Sequence, residues 1–136
     1  MIHQGVANSY KVEILHGIHR VTDEYKIALY VSAATLSKDT THYIPQDEVE
    51  ENGTYEAGGL PLEGVDVRLE GDTVLLTWTR DPIWARTTVQ ARGALIYNAS
   101  RENRAVAVLD FGETVHSTNG PFTIEFTDRD AIVELT

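Results

Sequence analysis

Five histidines and several carboxylates are the residues whose types could support catalysis or metal binding. His16 and His19 could bind a metal together only if both lay on one helical turn, and Gly17 between them favours a helix end there. Ser, Thr and Asp are frequent, and no nucleophile motif of the GxSxG type marks any of them. The sequence therefore predicts no catalytic residue, no metal site and no cofactor; the histidines are His3, His16, His19, His42 and His116.

The acidic clusters are better explained by turns and solvent than by cation binding. Asp128 and Asp130 lie between two apolar stretches, where an Asx-type turn is expected rather than a calcium site. A second cluster is expected to be a solvated loop rather than a cation cage; it comprises Asp47, Glu48, Glu50 and Glu51.

Two further patterns could suggest function. Asp110-Phe111-Gly112 matches a kinase tripeptide, but the chain is too short for a kinase and lacks its glycine-rich and catalytic loops. Trp78, Trp84 and Tyr97 could form a sugar-binding platform. Trp78, however, alternates with apolar residues, which favours a buried position and leaves carbohydrate binding as a secondary alternative.

Length and charge restrict the class of protein. The chain has 136 residues, no cysteine and a net charge of −10, so disulfides and thiolate metal sites are excluded. The negative charge disfavours nucleic acid and anionic membranes as partners. No apolar run is long enough to span a membrane. The first residues lack the pattern of a signal peptide, so we expect synthesis in the cytoplasm.

The hydrophobic pattern predicts one all-β domain over residues 1–136. We expect a two-sheet β-sandwich of about eight strands, with jelly-roll or Greek-key-like connections. Residues 8–17 favour a short helix capped by Asn8 or Ser9, or alternatively a strand. Residues 1–7 are expected to be a flexible arm, and 35–59 a long loop with room for a short helix at 45–51. The expected strands are 26–31, 65–69, 74–79, 87–98, 104–111, 122–126 and 131–135, with a tight turn at 70–73 and a turn-rich link at 114–121.

Arg92 and Asp110 are predicted to be a structural pair rather than a reactive one. If strands 88–98 and 104–112 form a hairpin, a register that pairs Asn98 with Arg104 also pairs Ala94 with Val108. That register then places Arg92 directly opposite Asp110, within reach of a salt bridge. It also gives Gly93 opposite Leu109, where a glycine leaves room for the larger side chain.

Several stretches resemble a family of small proteins encoded by tailed bacteriophages. The most specific stretch covers residues 88–112, and the likeness runs from about residue 7 to the end of the chain. It is carried by Tyr10-Lys11-Val12-Glu13-Ile14-Leu15-His16-Gly17, Tyr25-Lys26-Ile27-Ala28-Leu29-Tyr30, Thr54-Tyr55-Glu56-Ala57-Gly58-Gly59, Thr88-Val89-Gln90-Ala91-Arg92-Gly93-Ala94-Leu95-Ile96-Tyr97-Asn98, Ala105-Val106-Ala107-Val108-Leu109-Asp110-Phe111-Gly112 and Gly120-Pro121-Phe122-Thr123-Ile124.

The resemblance implies a virion protein without enzymatic activity, similar to the jelly-roll cement or decoration proteins of capsids. Such a protein would bind the major capsid protein and itself, as a dimer or trimer. A tail-associated virion protein remains an alternative. Residues 1–7 and the loop 35–59 are expected to carry the capsid contacts, so that deleting residues 1–7 would weaken attachment and leave the fold intact.

Overall fold

The structure is a computed structural model that describes residues 1–124 and 131–135. Over these residues the chain forms one helix and eight strands. No helix within this part of the chain is long and apolar enough to cross a membrane. In chain order the elements are β1 Gly5–Val6, α1 Asn8–Leu15, β2 Tyr25–Tyr30, β3 Leu60–Pro61, β4 Asp66–Glu70, β5 Thr73–Thr77, β6 Ile83–Asn98, β7 Arg104–Thr123 and β8 Ala131–Leu135.

Two antiparallel sheets give the all-β sandwich that the sequence predicts. The larger sheet has the strand order β1-β7-β6-β2-β3, and the smaller one has the order β4-β5-β8. Strand β2 is buried along both faces, with Ile27, Ala28, Leu29 and Tyr30 each 0% exposed. Since β2 pairs with β6 and with β3, and the paired residues are in both cases more than 30 positions apart in sequence, the larger sheet depends on contacts between distant parts of the chain.

Strands β6 and β7 form a long hairpin that dominates the larger sheet. The predicted turn-rich link at 114–121 is wrong, because β7 continues as one strand of 20 residues to Thr123. Beyond Gly112 this strand pairs with the first half of β6, where His116 lies opposite Gln90 and Gly120 opposite Thr87. The polar residues of this stretch are mostly exposed. They reflect a solvent-facing sheet rather than a turn.

Residues 1–7 are not the flexible arm that was expected. Gly5 and Val6 form an edge strand opposite Val108 and Ala107 of β7, and Ile2 is only 4% exposed. The His3 N–H donates to the Leu36 carbonyl at 2.8 Å. This segment covers an edge of β7 that would otherwise present apolar residues and unpaired backbone groups to water.

Helix α1 ends as predicted but begins differently. Gly17 adopts a positive φ of 72° directly after the C-cap His16. The Gly17 N–H donates to the Ile14 carbonyl at 2.9 Å and the Ile18 N–H to the Glu13 carbonyl at 3.1 Å, which is a Schellman motif. The N-cap is Ala7, without a side-chain hydrogen bond, so neither Asn8 nor Ser9 caps the helix. The alternative of a strand here is also wrong.

The segment 35–59 is irregular, as expected, and contains no helix at 45–51. Asp47 takes a positive φ of 63°, which interrupts a right-handed helix. The next residue, Glu48, forms an isolated bridge with Tyr30 of β2, and Val49 and Tyr55 are buried. Residues of this segment therefore pack on the larger sheet. The predicted tight turn at 70–73 is found between β4 and β5, where Glu70 lies opposite Thr73.

Candidate functional site

Arg92 and Asp110 lie on adjacent strands, and Arg92 Nε donates to Asp110 Oδ1 at 2.8 Å. The register that was expected to bring them together is wrong beyond Tyr97. Tyr97 pairs with Ala105, but Ile96 pairs with Ala107, which leaves Val106 as an extra residue. This bulge moves β7 by one position relative to the expected register.

Because of this shift, Asp110 lies opposite Gly93 rather than opposite Arg92. A Cβ on Gly93 would lie 2.4 Å from the Leu109 carbonyl oxygen and 2.9 Å from Ile2 Cγ2. The space that glycine leaves is therefore used by the β7 backbone and by the N-terminal segment.

The electrostatics of this pair favour two fixed opposite charges. The hydrogen bond from Arg92 holds the pKa of the Asp110 carboxyl below its ordinary value. The Gly112 N–H adds a second hydrogen bond to Asp110 Oδ1 at 2.9 Å. Both side chains border an open groove of about 420 Å³ that is also lined by His3 and Ser32. An ionised, paired carboxylate is suited to holding strands together, and it lacks the near-neutral pKa of a general acid.

A second polar cluster, centred on His19, was not foreseen from the sequence. His19 Nε2 lies 2.7 Å from Glu13 Oε1, and His19 Nδ1 lies 3.0 Å from Asn98 Nδ2. The Asn98 amide also donates to Asp23 Oδ2 at 2.9 Å. Since the amide nitrogen can only donate, Nδ1 of His19 accepts and Nε2 carries the proton. Both ring nitrogens are thus used inside the protein.

Two arginines complete the His19 cluster. Arg104 Nη1 donates to Glu13 Oε2 at 2.9 Å, and Arg101 Nε donates to Asp23 Oδ2 at 3.0 Å. Burial raises the pKa of Glu13, but the hydrogen bonds from His19 and Arg104 outweigh it and leave that pKa below its ordinary value. The pKa of Asp23 is lowered in the same way, because hydrogen bonds from Arg101 and Asn98 outweigh burial. The charged side chains of the cluster form ion pairs with one another, and these pairs join α1 to the β6–β7 hairpin.

The cluster does not form a metal site of the kind considered for His16 and His19. His16 is exposed, while the His19 side chain is 2% exposed. Among residues 1–124 and 131–135, no group of three or more His, Cys, Asp or Glu side chains could hold a metal ion. Asp128 and Asp130 lie outside the described residues.

Glu48 is not a residue of a solvated loop, which corrects one expectation for the acidic cluster. Its Oε2 accepts hydrogen bonds from the Tyr55 hydroxyl at 2.6 Å and from the Gly58 N–H at 2.7 Å. Its Oε1 accepts from the Tyr43 hydroxyl. The Tyr55 hydroxyl in turn accepts a hydrogen bond from the Leu29 N–H at 3.0 Å. Glu48 therefore fixes the middle of the segment 35–59 to β2.

Other acidic residues of the same segment do face solvent. Glu50, Glu51 and Glu56 are exposed, and Glu51 Oε2 accepts a hydrogen bond from the Ala57 N–H at 3.1 Å. We call these three residues the acidic rim. The rim is a charged surface on an irregular segment whose conformation is set by the half-buried hydrogen bonds of Glu48.

The aromatic residues considered for sugar binding do not form an exposed platform. Trp78, Trp84 and Tyr97 are 4%, 2% and 3% exposed. The ring of Trp84 lies 5.6 Å from that of Tyr55, and Tyr97 stacks on Tyr43 at 4.8 Å. These rings belong to the core.

The hairpin of β4 and β5 carries no sequence motif that marks it as a functional surface. Val67 and Leu69 of β4 are 49% and 70% exposed. On the same face, Val67 and Val74 border a cavity of about 140 Å³ against Tyr10 and Ile14 of α1. Exposed apolar side chains that cluster on one element are typical of a protein contact surface.

Comparisons of the chain with protein-family models, with curated proteins and with solved structures gave no match.

Proposed function

We propose that this chain is a structural protein of a tailed-bacteriophage virion that binds the assembled head and clamps neighbouring subunits of the major capsid protein. In this proposal the chain is not an enzyme. The first support is the sequence resemblance, which is most specific over residues 88–112. Most of these residues lie in β6 and β7, the framework of the larger sheet.

The observation that carries the proposal is the position of the acidic rim on the segment 35–59, which Glu48 ties to β2. An irregular segment costs conformational entropy to order, and here the half-buried hydrogen bonds of Glu48 hold it in one conformation. A binding surface on a loop held by a rigid scaffold loses little further entropy when a partner binds. Glu50, Glu51 and Glu56 then provide negative charge for a basic patch on that partner.

Head stabilisation follows from mass action. A protein that binds only the assembled lattice stabilises that lattice, by a free energy that grows with the logarithm of its concentration relative to its dissociation constant. The net charge of −10 also favours the outer surface of the head over its DNA-filled interior, because the chain repels phosphate.

The location is tested by separating the virions of a phage that encodes this chain into heads and tails. An antibody against the purified protein should detect it in the head fraction. Detection in the tail fraction alone would contradict the head assignment and favour the tail alternative. Absence from both fractions would refute a virion role.

The role of the acidic rim is tested with two matched triple variants and heads that lack the protein. E50Q/E51Q/E56Q removes the three charges of the rim, and we expect its binding to heads to weaken at least tenfold. E24Q/D72N/E113Q removes three exposed charges elsewhere and should bind heads as the unmodified chain does. Equal loss in both variants would mean that net charge, rather than the rim, governs binding.

A further inference from the structure

Strand β4 is an edge strand whose side chains are exposed to solvent along its whole length. It lies at one end of the order β4-β5-β8, and in the described part of the chain β5 is its only partner within the sheet. All five residues of β4 are exposed. Edge strands of this kind can pair with a further strand unless charge, proline or a covering segment prevents it.

The backbone of β4 offers hydrogen-bonding groups along its outer edge. Glu70 and Thr73 flank the tight turn and lie opposite each other, so they form the hydrogen-bonded pair that closes a two-residue hairpin. Hydrogen bonding alternates along a strand, so Val67 and Leu69 direct their N–H and C=O groups away from β5. The Val67 N–H accordingly donates to the side chain of Asp66 at 2.8 Å rather than to β5.

We propose that β4 pairs antiparallel with β4 of a second copy of this chain, about a two-fold axis at Val67. Val67 then lies opposite Val67 of the second copy, and Val65 lies opposite Leu69. Asp66 lies opposite Arg68 of the second copy, and this charge pair occurs twice. Each position from Val65 to Leu69 is therefore matched, apolar with apolar and negative with positive, and Glu70 lies opposite Gly64 at the end of the contact.

The side-chain directions fit this arrangement. Val67 and Leu69 share one face of β4 with Val74 and Leu76 of β5, which lie opposite Leu69 and Val67 respectively. Asp66, Arg68 and Glu70 occupy the other face, where Arg68 lies 3.6 Å from Glu70. Pairing two β4 strands would place the apolar side chains of both copies on one face of the joined sheet and the charged side chains on the other. It would also cover the exposed Val67 and Leu69.

Neighbouring registers are less favourable. An axis at Arg68 would place Arg68 against its own copy and Asp66 against Glu70, so that like charges meet. An axis at Leu69 would pair Arg68 with Glu70, but it would also place Asp66 against Asp72 and Val67 against Gly71. Both Gly71 and Asp72 belong to the turn between β4 and β5. The Val67 axis pairs Asp66 with Arg68 twice and opposes no like charges between residues 65 and 69, and it leaves Gly71 and Asp72 of the turn outside the contact.

Two single charge reversals and their mixture test the proposal. D66R and R68D should each lose the dimer, because each places like charges opposite one another twice. Mixing the two variants should restore a dimer, since D66R offers two arginines to the two aspartates of R68D. D72R, a reversal within the turn and outside the paired segment, should leave the dimer intact. Light scattering reports the mass, with 15.1 kDa for a monomer and twice that for a dimer.

A monomeric unmodified protein at all concentrations would overturn the proposal. So would dimers that persist in both single variants, or a mixture of the two variants that stays monomeric while each is folded by circular dichroism. Hydrogen exchange of the unmodified chain gives an independent measurement. The amides of Val67 and Leu69 should become more protected as the concentration rises, and unchanged exchange in a dimeric sample would assign the dimer to another surface. This inference rests on β4 alone and holds whether or not the chain binds heads.

Discussion

Arg104 Nη1 donates a hydrogen bond of 2.9 Å to Glu13 Oε2, which ties α1 to the first residue of β7. The other oxygen of the same carboxylate lies 2.7 Å from His19 Nε2. Glu13 is 8% exposed, so a charged residue occupies an inward position of the helix. Its burial is tolerated because both of its oxygens have partners.

Replacing Glu13 should therefore destabilise the fold without removing any apolar contact. We expect E13Q to lower the free energy of unfolding by about 1–3 kcal/mol, because the amide cannot satisfy His19 and Arg104 as the carboxylate does. Urea unfolding followed by circular dichroism measures the change. E102Q is the matched control, since Glu102 contacts the same Arg104 at 3.2 Å but its side chain is 79% exposed. A similar loss in both variants would contradict the role assigned to burial.

The same cluster predicts a loss of stability in acid. The pKa values of Glu13 and Asp23 are lower in the folded protein than their ordinary values of 4.5 and 3.8. A lowered pKa means that the unfolded chain binds protons more readily, so the contribution is complete above about pH 5 and is lost as the pH falls through the folded values. Unfolding free energies measured between neutral pH and pH 3 should fall more steeply for the unmodified chain than for E13Q. Parallel profiles would contradict this prediction.

The sequence predicts well those features that depend on neighbouring residues. Gly17 ends α1 because the left-handed conformation that follows a helix costs glycine little. The turn after Glu70 is also local, since two residues between alternating apolar stretches close a hairpin. Such signals do not depend on which strands finally pair.

Features that depend on distant contacts were missed. The polar sequence from Thr114 to Pro121 predicts a turn, yet residues 115–120 pair with residues 87–91 of β6. Within the candidate sites, Arg92 and Asp110 were foreseen because a hairpin brings them together. Glu13 and Arg104 are 91 positions apart, and no local pattern indicates that a helix will pack against the β6–β7 turn.

The hydroxyl of Tyr55 should contribute more to stability than that of Tyr43, although both donate to Glu48. Tyr55 is 1% exposed, and its oxygen also accepts the hydrogen bond of the Leu29 N–H. Y55F would leave that N–H buried without an acceptor, and we expect a loss of about 1–3 kcal/mol. Y43F is the control and should cost less in the same urea-unfolding measurement. The reverse order would contradict the structure.

All six tyrosines should resist ionisation in the folded protein. Burial raises the pKa of each one, to about 12 for Tyr10 and Tyr97 and further for the others. The folded state therefore holds the phenolic protons more tightly than the unfolded state, a contribution that is complete below the ordinary pKa of 10.0 and is lost as the pH rises above it. A spectrophotometric titration should show tyrosinate only as the protein unfolds, whereas urea-unfolded protein should titrate near pH 10. Tyrosinate formation in protein that is still folded near pH 10 would count against the burial of these rings.

The N-terminal segment should contribute to the stability of the fold. Ile2 is 4% exposed, its side chain fills the space where a Cβ of residue 93 would lie, and its backbone forms a bridge to Leu36. I2A should therefore lower the free energy of unfolding by about 2–5 kcal/mol. Met1 is 74% exposed, and M1A should change it by less than about 0.5 kcal/mol. Deleting residues 1–7 should cost more than I2A, because it also removes β1 and bares the edge of β7. Thermal or urea unfolding that is unaffected by the deletion would show that these residues are the flexible arm first expected, and would free them for a role in attachment.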